Sequence, residues 1–136
     1  MSITVLLADD NKSIRNAIAQ LLRGTYDIQI VGEASSLAQA MELASKLRPQ
    51  VVVLDPHMSD EYSVTLAQIQ SGFTGSRLVA MSIWNDEETK ALADSIGAVA
   101  LLDKTALSTE LIPAIRNCVR VQKARQSGSG SAAALD

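Results

Sequence analysis

With 136 residues, the chain is long enough for one domain and too short for two independent cores. Apolar residues make up 47% of the chain but aromatic residues only 3%, so the core must be built from aliphatic side chains. A net charge of −3 excludes a broad electropositive surface of the kind that holds nucleic acid through its phosphates, and we expect no direct contact of this domain with DNA.

Short runs of β-branched and aliphatic residues are predicted to form five strands. Their near-continuous apolarity indicates burial on both faces, as in a parallel sheet that is covered by helices. In chain order, the predicted strands cover residues 3–8, 28–33, 51–54, 78–82 and 99–102.

Segments with apolar residues at helical spacing lie between these runs and after the last one. Capping residues mark where the helices begin, and glycine or proline marks where they end. Pro113 falls inside the last segment, so that helix is predicted to start late or to bend there. The segments lie after Asn11 or Ser13 and before Gly24, after Ser35 or Ser36 and before Pro49, over 63–70, between Asp86 and Gly97, and over 108–125.

The alternation of five strands with five helices predicts a single α/β domain over residues 1–125. Right-handed crossovers between parallel strands give an open, doubly wound sheet, and the flavodoxin-like (βα)5 fold with strand order 2-1-3-4-5 fits this length. Residues 126–136 are rich in Gly, Ser and Ala and are expected to be a disordered linker or expression scar. If so, the native protein continues past this domain.

The cysteine content and the N-terminus predict a cytoplasmic location. Cys118 is the only cysteine, which excludes an internal disulfide, and we expect it to be a small buried apolar residue. The start Met-Ser-Ile-Thr lacks the basic residues and the apolar run of a signal peptide. No apolar stretch approaches the ~18 residues that would suggest a membrane span. We therefore expect a soluble domain in a reducing compartment, without a membrane partner.

Polar residues that can carry chemistry follow four of the predicted strands. Asp9 and Asp10 end the first strand, Asp55 the third and Ser82 the fourth, and Lys104 lies just after the fifth. We expect them to converge, because the carboxyl ends of parallel strands share one edge of the sheet. Three carboxylates together are costly unless a cation joins them, and oxygen ligands suit Mg²⁺. The pattern predicts Asp55 as a nucleophile toward phosphorus, with Mg²⁺ and the Lys104 ammonium neutralising phosphoryl charge.

Taken singly, each of these residues has a plainer explanation. Asp9 and Asp10 could merely favour the start of a helix, Asp55 followed by proline could begin a turn, and Lys104 could be a solvated loop residue. Ser82 could bond to local backbone. The five positions together favour a site.

These residues lie in stretches that resemble successive landmarks of the receiver domains of bacterial two-component response regulators. The stretches are LLADDNKSIRNAIAQLL, DIQIVGEASS, RPQVVVLDPHMS, LVAMSIW and GAVALLDKTAL, and the resemblance as a whole covers residues 3–120. The segment VGEA and the ending LLDK are similar to receivers that are commonly followed by a LuxR-type helix-turn-helix domain.

The resemblance implies a role for each of the five residues. Asp55 would be the phosphoacceptor, Asp10 a direct Mg²⁺ ligand, and Asp9 an acidic residue that acts on the ion through water. Lys104 would pair with the acceptor and then with its phosphoryl group. Ser82 would be the switch hydroxyl, which bonds to the phosphoryl group and so biases the fourth helix.

Two further residues are expected to lie beside the acceptor. The resemblance implies that the main-chain carbonyl of His57 is the third protein ligand of Mg²⁺. Its ring is expected to flank the pocket, because a lone imidazole among carboxylates is not a transition-metal set. Trp84 follows the fourth strand, and we hypothesise that it screens an acyl phosphate from water together with His57. The alternative is a surface residue that packs on the fourth helix.

The resemblance implies phosphorylation-dependent signalling rather than enzymatic turnover. The expected partners are a sensor histidine kinase, which donates the phosphoryl group, and a LuxR-type DNA-binding output domain. The face formed by the fourth helix, the fifth strand and the last helix is expected to form a homodimer or to contact the output domain.

Two alternatives remain, one motivated by departures from the family pattern and one by the aspartate nucleophile and Mg²⁺ that another family also uses. Met58-Ser59 stands where the family usually has Met-Pro, Tyr62-Ser63 replaces a common Asp-Gly, and Leu101 replaces the aromatic switch residue. These departures favour, as one alternative, an atypical receiver that is not phosphorylated and acts as an interaction module. The other alternative, a phosphohydrolase of the haloacid dehalogenase type, requires a second aspartate where this chain has His57.

Overall fold

The computed structural model describes residues 2–120 and contains a five-stranded parallel sheet. The strand order is β2-β1-β3-β4-β5, so the predicted doubly wound order is confirmed. The predicted ends of the strands agree with the structure to within one residue. The strands are β1 (Ile3–Ala8), β2 (Ile28–Ala34), β3 (Val51–Leu54), β4 (Arg77–Ser82) and β5 (Ala98–Asp103).

Helices connect the strands, and their N-caps are mostly the predicted ones. The side chains of Asn11, Ser36 and Asp86 each accept a hydrogen bond from a first-turn amide of the helix that follows. Short 3₁₀ turns cover Glu61–Ser63 and Lys104–Ala106. The α-helices are α1 (Lys12–Arg23), α2 (Leu37–Leu47), α3 (Leu66–Gly72), α4 (Glu87–Ser95) and α5, which covers residues 107–120.

The predicted start of the third helix was wrong. The third helix does not begin at residue 63, because Thr65 and Gln68 form a capping box that starts α3 at Leu66. The last helix begins at residue 107, one residue before its predicted start, so the late start considered at Pro113 does not occur. The proline removes one backbone hydrogen bond, while Leu111 and Ile115 are fully buried and stabilise the helix by packing on the sheet.

The core is divided between the two faces of the sheet. Alternate residues of β1 and β3 point to opposite sides, as the strand period of two requires. On one side Val5 and Val53 pack with α1 and α5. On the other side Leu6 and Leu54 pack with α2, α3 and α4. This is the two-layer helical cover that the apolar strands predicted.

Residues 121–136 lie outside the described residues, and with them the predicted end of the last helix and the predicted linker or scar over 126–136. Across residues 2–120, none of the helices combines the length and the apolarity that crossing a membrane demands.

Candidate functional site

The register of the sheet brings three of the predicted site residues to one edge. Ala8 pairs with Leu54 in neighbouring parallel strands, so Asp9 and Asp55 each follow a paired residue. The amide of Asp55 continues the ladder by donating to the carbonyl of Ala8 at 3.0 Å. Lys104 follows β5 in the same way, one residue after the pair of Ser82 with Asp103. The sequence therefore places these side chains at the carboxyl ends of β1, β3 and β5.

The three aspartates form an acidic cluster. Asp9, Asp10 and Asp55 each offer a carboxylate oxygen, and these oxygens lie within 4.8 Å of one another. Asp9 is completely buried and Asp55 is 8% exposed, whereas Asp10 is open to solvent. The structure thus brings together the acids that the strand ends predicted to converge.

Lys104 supplies the positive charge of the site. Its ammonium lies 2.6 Å from Oδ2 of Asp55 and 2.6 Å from Oδ2 of Asp9, on a side chain that is only 9% exposed. Burial alone would lower the pKa of this ammonium, but its contacts with Asp55 and Asp9 outweigh burial and raise the pKa. Lys104 therefore remains a cation between two carboxylates.

Backbone amides hold each carboxylate in place. The amide of Asn11 donates to Oδ1 of Asp9 at 2.8 Å, and the amide of His57 donates to Oδ1 of Asp55 at the same distance. The amide of Ser59 donates to Oδ2 of Asp10 at 2.9 Å. These bonds fix the orientation of all three acids.

The cluster fits a hard divalent cation. Oδ2 of Asp9 is buried and accepts no hydrogen bond of acceptable geometry from residues 2–120, although the Lys104 ammonium lies beside it. A buried acceptor of this kind favours a cation ligand. The donors are all oxygens, which suits Mg²⁺ rather than a transition metal. Within the described part of the chain, no other group of three or more acidic, histidine or cysteine side chains meets the same distance limit.

A hydrogen bond links Ser82, at the end of β4, to Trp84 in the segment that follows. Ser82 is 2% exposed, and its hydroxyl oxygen accepts a hydrogen bond from the amide of Trp84 at 2.9 Å. Trp84 is 57% exposed, so more than half of it is open to solvent. The hydroxyl proton of Ser82 remains available to a new acceptor, because the oxygen only accepts in this bond.

The ring of His57 has two polar partners. Nδ1 lies 2.8 Å from Oε2 of Glu61, and Nε2 lies 3.1 Å from the hydroxyl of Thr89 in α4. The structure therefore ties the ring between the loop after β3 and the first turn of α4.

Two residues that the sequence did not single out support the site. Arg15 donates to the carbonyl of Asp9 at 2.6 Å and lies 3.3 Å from Glu33. Asp60 accepts from the first two amides of α2, those of Leu37 and Ala38, at 2.8 and 3.1 Å. Neither contact has a local sequence signal, because Arg15 bonds to the main chain of Asp9 and Asp60 bonds to a helix that is distant along the chain.

Leu101 occupies the position where the family usually has an aromatic switch residue. Leu101 is partly buried on β5 and lines an open groove with residues of α4, among them Lys90 and Ala93. An aliphatic side chain here fills space but cannot exchange a polar contact between two states.

Comparison with known families agrees with this geometry. The model of the response regulator receiver domain matches residues 5–116. In a structural comparison, the signal receiver domain of the response regulator NarL from Mycobacterium tuberculosis superposes with a TM-score of 0.78 and 25% sequence identity. That match covers 88% of this chain and 97% of the other.

Full-length relatives share the same region. The nitrate/nitrite response regulator protein NarL of Escherichia coli K12 is 34% identical over 113 residues, which cover 82% of this chain and 52% of that protein. The transcriptional regulatory protein LiaR of Bacillus subtilis is 30% identical over 115 residues, which cover 84% of this chain and 54% of LiaR. The chain spans about half the length of the curated relatives it matches.

Proposed function

The chain belongs to the response regulator receiver domain family, and we propose that it is switched by phosphorylation of Asp55. Members of this family are signalling domains rather than enzymes, and the relatives of this chain are transcriptional regulators. The observation that carries the proposal is the acidic cluster of Asp9, Asp10 and Asp55 with the Lys104 ammonium 2.6 Å from the acceptor carboxylate.

The proposed reaction is a phosphoryl transfer from a phosphohistidine of a sensor histidine kinase. A carboxylate oxygen of Asp55 attacks the phosphorus, the phosphorus–nitrogen bond breaks, and the histidine nitrogen keeps the electron pair. The product is an acyl phosphate on Asp55. Two contacts of the acceptor carboxylate orient it for this attack, since one oxygen is held by the His57 amide and the other by the Lys104 ammonium.

The residues that would hold Mg²⁺ are Asp10, Asp55 and the main-chain carbonyl of His57, with Asp9 acting through water. A bound Mg²⁺ would neutralise charge on the oxygens of the phosphoryl group as it transfers. The exposure of Asp10 leaves this side of the cluster accessible from solvent.

Lys104 and Ser82 would recognise the product. The Lys104 ammonium already lies against the acceptor, so it is positioned to pair with phosphoryl oxygens once they are attached. Ser82 ends β4, next to β3, and its free hydroxyl proton can be donated to the same group. A new bond there would pull on the segment between Ser82 and α4 and shift the start of that helix.

The proposed partners follow from the same assignment. A sensor histidine kinase would donate the phosphoryl group, and a LuxR-type DNA-binding domain would provide the output, as the full-length relatives are regulators about twice as long as the matched region. The face formed by α4, β5 and α5 would contact the output domain or a second copy of the chain.

A titration with beryllofluoride and Mg²⁺ tests the proposal, because beryllofluoride imitates the acyl phosphate. Trp84 is the only tryptophan, so its fluorescence reports the site directly. We expect saturable, Mg²⁺-dependent binding, and we expect acetyl phosphate to add the mass of one phosphoryl group. Asp55→Asn should abolish both, and Asp94→Asn, which changes an exposed aspartate of α4, should change neither.

The same experiment separates the alternatives. A parent protein that neither binds beryllofluoride nor gains phosphoryl mass would instead be an interaction module without a phosphorylated state. Multiple turnover of a phosphomonoester would indicate a phosphohydrolase and would contradict the proposal.

A further inference from the structure

The ring of His57 connects the acceptor loop to α4, through contacts with residues outside the acidic cluster. We use "acceptor loop" for residues 55–63, which follow β3. One ring nitrogen of His57 lies 2.8 Å from Glu61 within the loop, and the other lies 3.1 Å from the hydroxyl of Thr89. His57 and Thr89 are separated by 32 positions in the chain, so the bond between them is a tertiary contact between the acceptor loop and α4.

The side chains that form this contact are largely shielded from solvent. The side chains of His57 and Glu61 are 24% and 21% exposed, and Thr89 is 2% exposed. A carboxylate only accepts hydrogen bonds, so Nδ1 of His57 donates to Glu61. Nε2 is hydrogen-bonded to the Thr89 hydroxyl. Glu61 therefore orients the ring toward α4, and the ring is held at both ends.

Thr89 lies where movement of α4 would begin. It is in the first turn of α4, and its amide donates to the capping carboxylate of Asp86 at 2.8 Å. The segment from Ser82 to Asp86 connects this turn to the end of β4. Ser82 accepts a hydrogen bond from the Trp84 amide in this segment, and Asp55 is paired with Lys104.

We infer that His57 is a positioning residue whose ring holds the first turn of α4 against the acceptor loop. The inference rests on the proposed function for its regulatory meaning. The contact adds to the stability of this arrangement, so a ligand at Asp55 that moves α4 must break the contact. Removing the contact should loosen α4 and should let such a ligand bind more tightly.

Hydrogen exchange of the unliganded protein tests the first consequence. Thr89→Val removes the hydroxyl and keeps the side-chain volume, and Thr89→Ser keeps the hydroxyl. We expect amides of residues 89–92 to exchange about three- to tenfold faster in Thr89→Val and at the parental rate in Thr89→Ser. Amides of β3 should not change in either variant. The control is Thr109→Val, which removes a hydroxyl of α5 that donates to the carbonyl of Ala106 in the preceding 3₁₀ turn.

A double-mutant cycle separates the pair from other effects of each side chain. His57→Ala should speed exchange at residues 89–92, and adding Thr89→Val to it should have little further effect. Fully additive effects, or unchanged exchange in Thr89→Val, would overturn the inference. Faster exchange that extends equally to β3 would also overturn it, because the contact would then act on global stability only.

Beryllofluoride binding tests the second consequence. With Mg²⁺ present, Thr89→Val should bind beryllofluoride about three- to tenfold more tightly than the parent, and Thr89→Ser should match the parent. Equal or weaker binding by Thr89→Val would overturn the regulatory part of the inference. If no variant binds beryllofluoride, the proposed function fails, and the exchange data alone then decide whether His57 positions α4.

Discussion

The ammonium of Lys104 and the carboxylate of Asp55 form an ion pair at 2.6 Å, although their strands are not neighbours. Lys104 follows β5 and Asp55 follows β3, and β4 lies between these two strands in the sheet. The lysine side chain therefore reaches across the end of β4 to contact the acceptor and, beside it, the buried Asp9. One cation thus contacts two acids, and this pairing contributes to the stability of the fold.

The stability that Lys104 provides should depend on pH in a defined direction. Its pKa in the folded protein is raised, so its contribution is complete below the unfolded value of about 10.4 and is lost as pH rises through the folded value. We expect Lys104→Met to lower the free energy of unfolding by roughly 1–3 kcal/mol at neutral pH. Urea denaturation of both proteins should show that the difference between their free energies of unfolding becomes smaller as the pH is raised to about 11.

A matched control for this comparison is Lys90→Met, because Lys90 is an exposed lysine of α4. That variant should differ little from the parent in stability near neutral pH. A difference between parent and Lys104→Met that stays constant throughout the alkaline range would contradict the expected linkage.

Removing Lys104 should also change the affinity for Mg²⁺. The ammonium lies against two members of the acidic cluster and repels any further cation there. Lys104→Met should therefore bind Mg²⁺ about three- to tenfold more tightly than the parent at low ionic strength, and the gain should diminish as salt is added. A Mg²⁺ titration followed by Trp84 fluorescence measures it. Weaker binding by the variant would show that Lys104 assists the ion instead.

The sheet and the acidic cluster were predictable because their signals are local. Apolar runs bounded by polar residues marked the strands, and the position of an acid directly after a run placed it at the carboxyl edge. The convergence of Asp9 and Asp55 then followed from the strand order alone. The N-caps at Asn11, Ser36 and Asp86 were predictable for the same reason, since a cap acts within its own turn.

The contacts of the acceptor loop were not predictable in this way. His57 bonds to Thr89 and Asp60 bonds to the start of α2, at separations of 32 and 23 positions. Such partners depend on how the loop folds over the sheet edge, which no short sequence pattern encodes. Ser59 stands where the family usually has proline, and its amide, which a proline would lack, donates to Oδ2 of Asp10.

Asp60 should stabilise the protein as a cap on a helix that it does not precede in the chain. Its carboxylate accepts from the amides of Leu37 and Ala38, which have no partner within α2. We expect Asp60→Ala to lower the free energy of unfolding by about 0.5–2 kcal/mol, with a smaller loss in Asp60→Asn. Urea denaturation measures both. If Asp60→Ala were as stable as Asp94→Ala, a change at an exposed site of α4, the cap would contribute nothing.

The ring of Trp84 should slow hydrolysis of the acyl phosphate that we propose on Asp55. Trp84 follows Ser82 by two residues at the edge where the acceptor lies, and it contacts Ser82 through its amide. Trp84→Ala keeps that amide, so a change in rate would report the ring alone. We expect hydrolysis to be about threefold faster or more, because water would reach the phosphorus more easily.

The rate is measured as loss of phosphoryl mass with time after the phosphodonor is removed. Trp84→Phe should retain most of the protection, and Tyr62→Ala, which removes a 93% exposed ring from the acceptor loop, should leave the rate unchanged. Equal rates for Trp84→Ala and the parent would show that this side chain does not screen the acceptor.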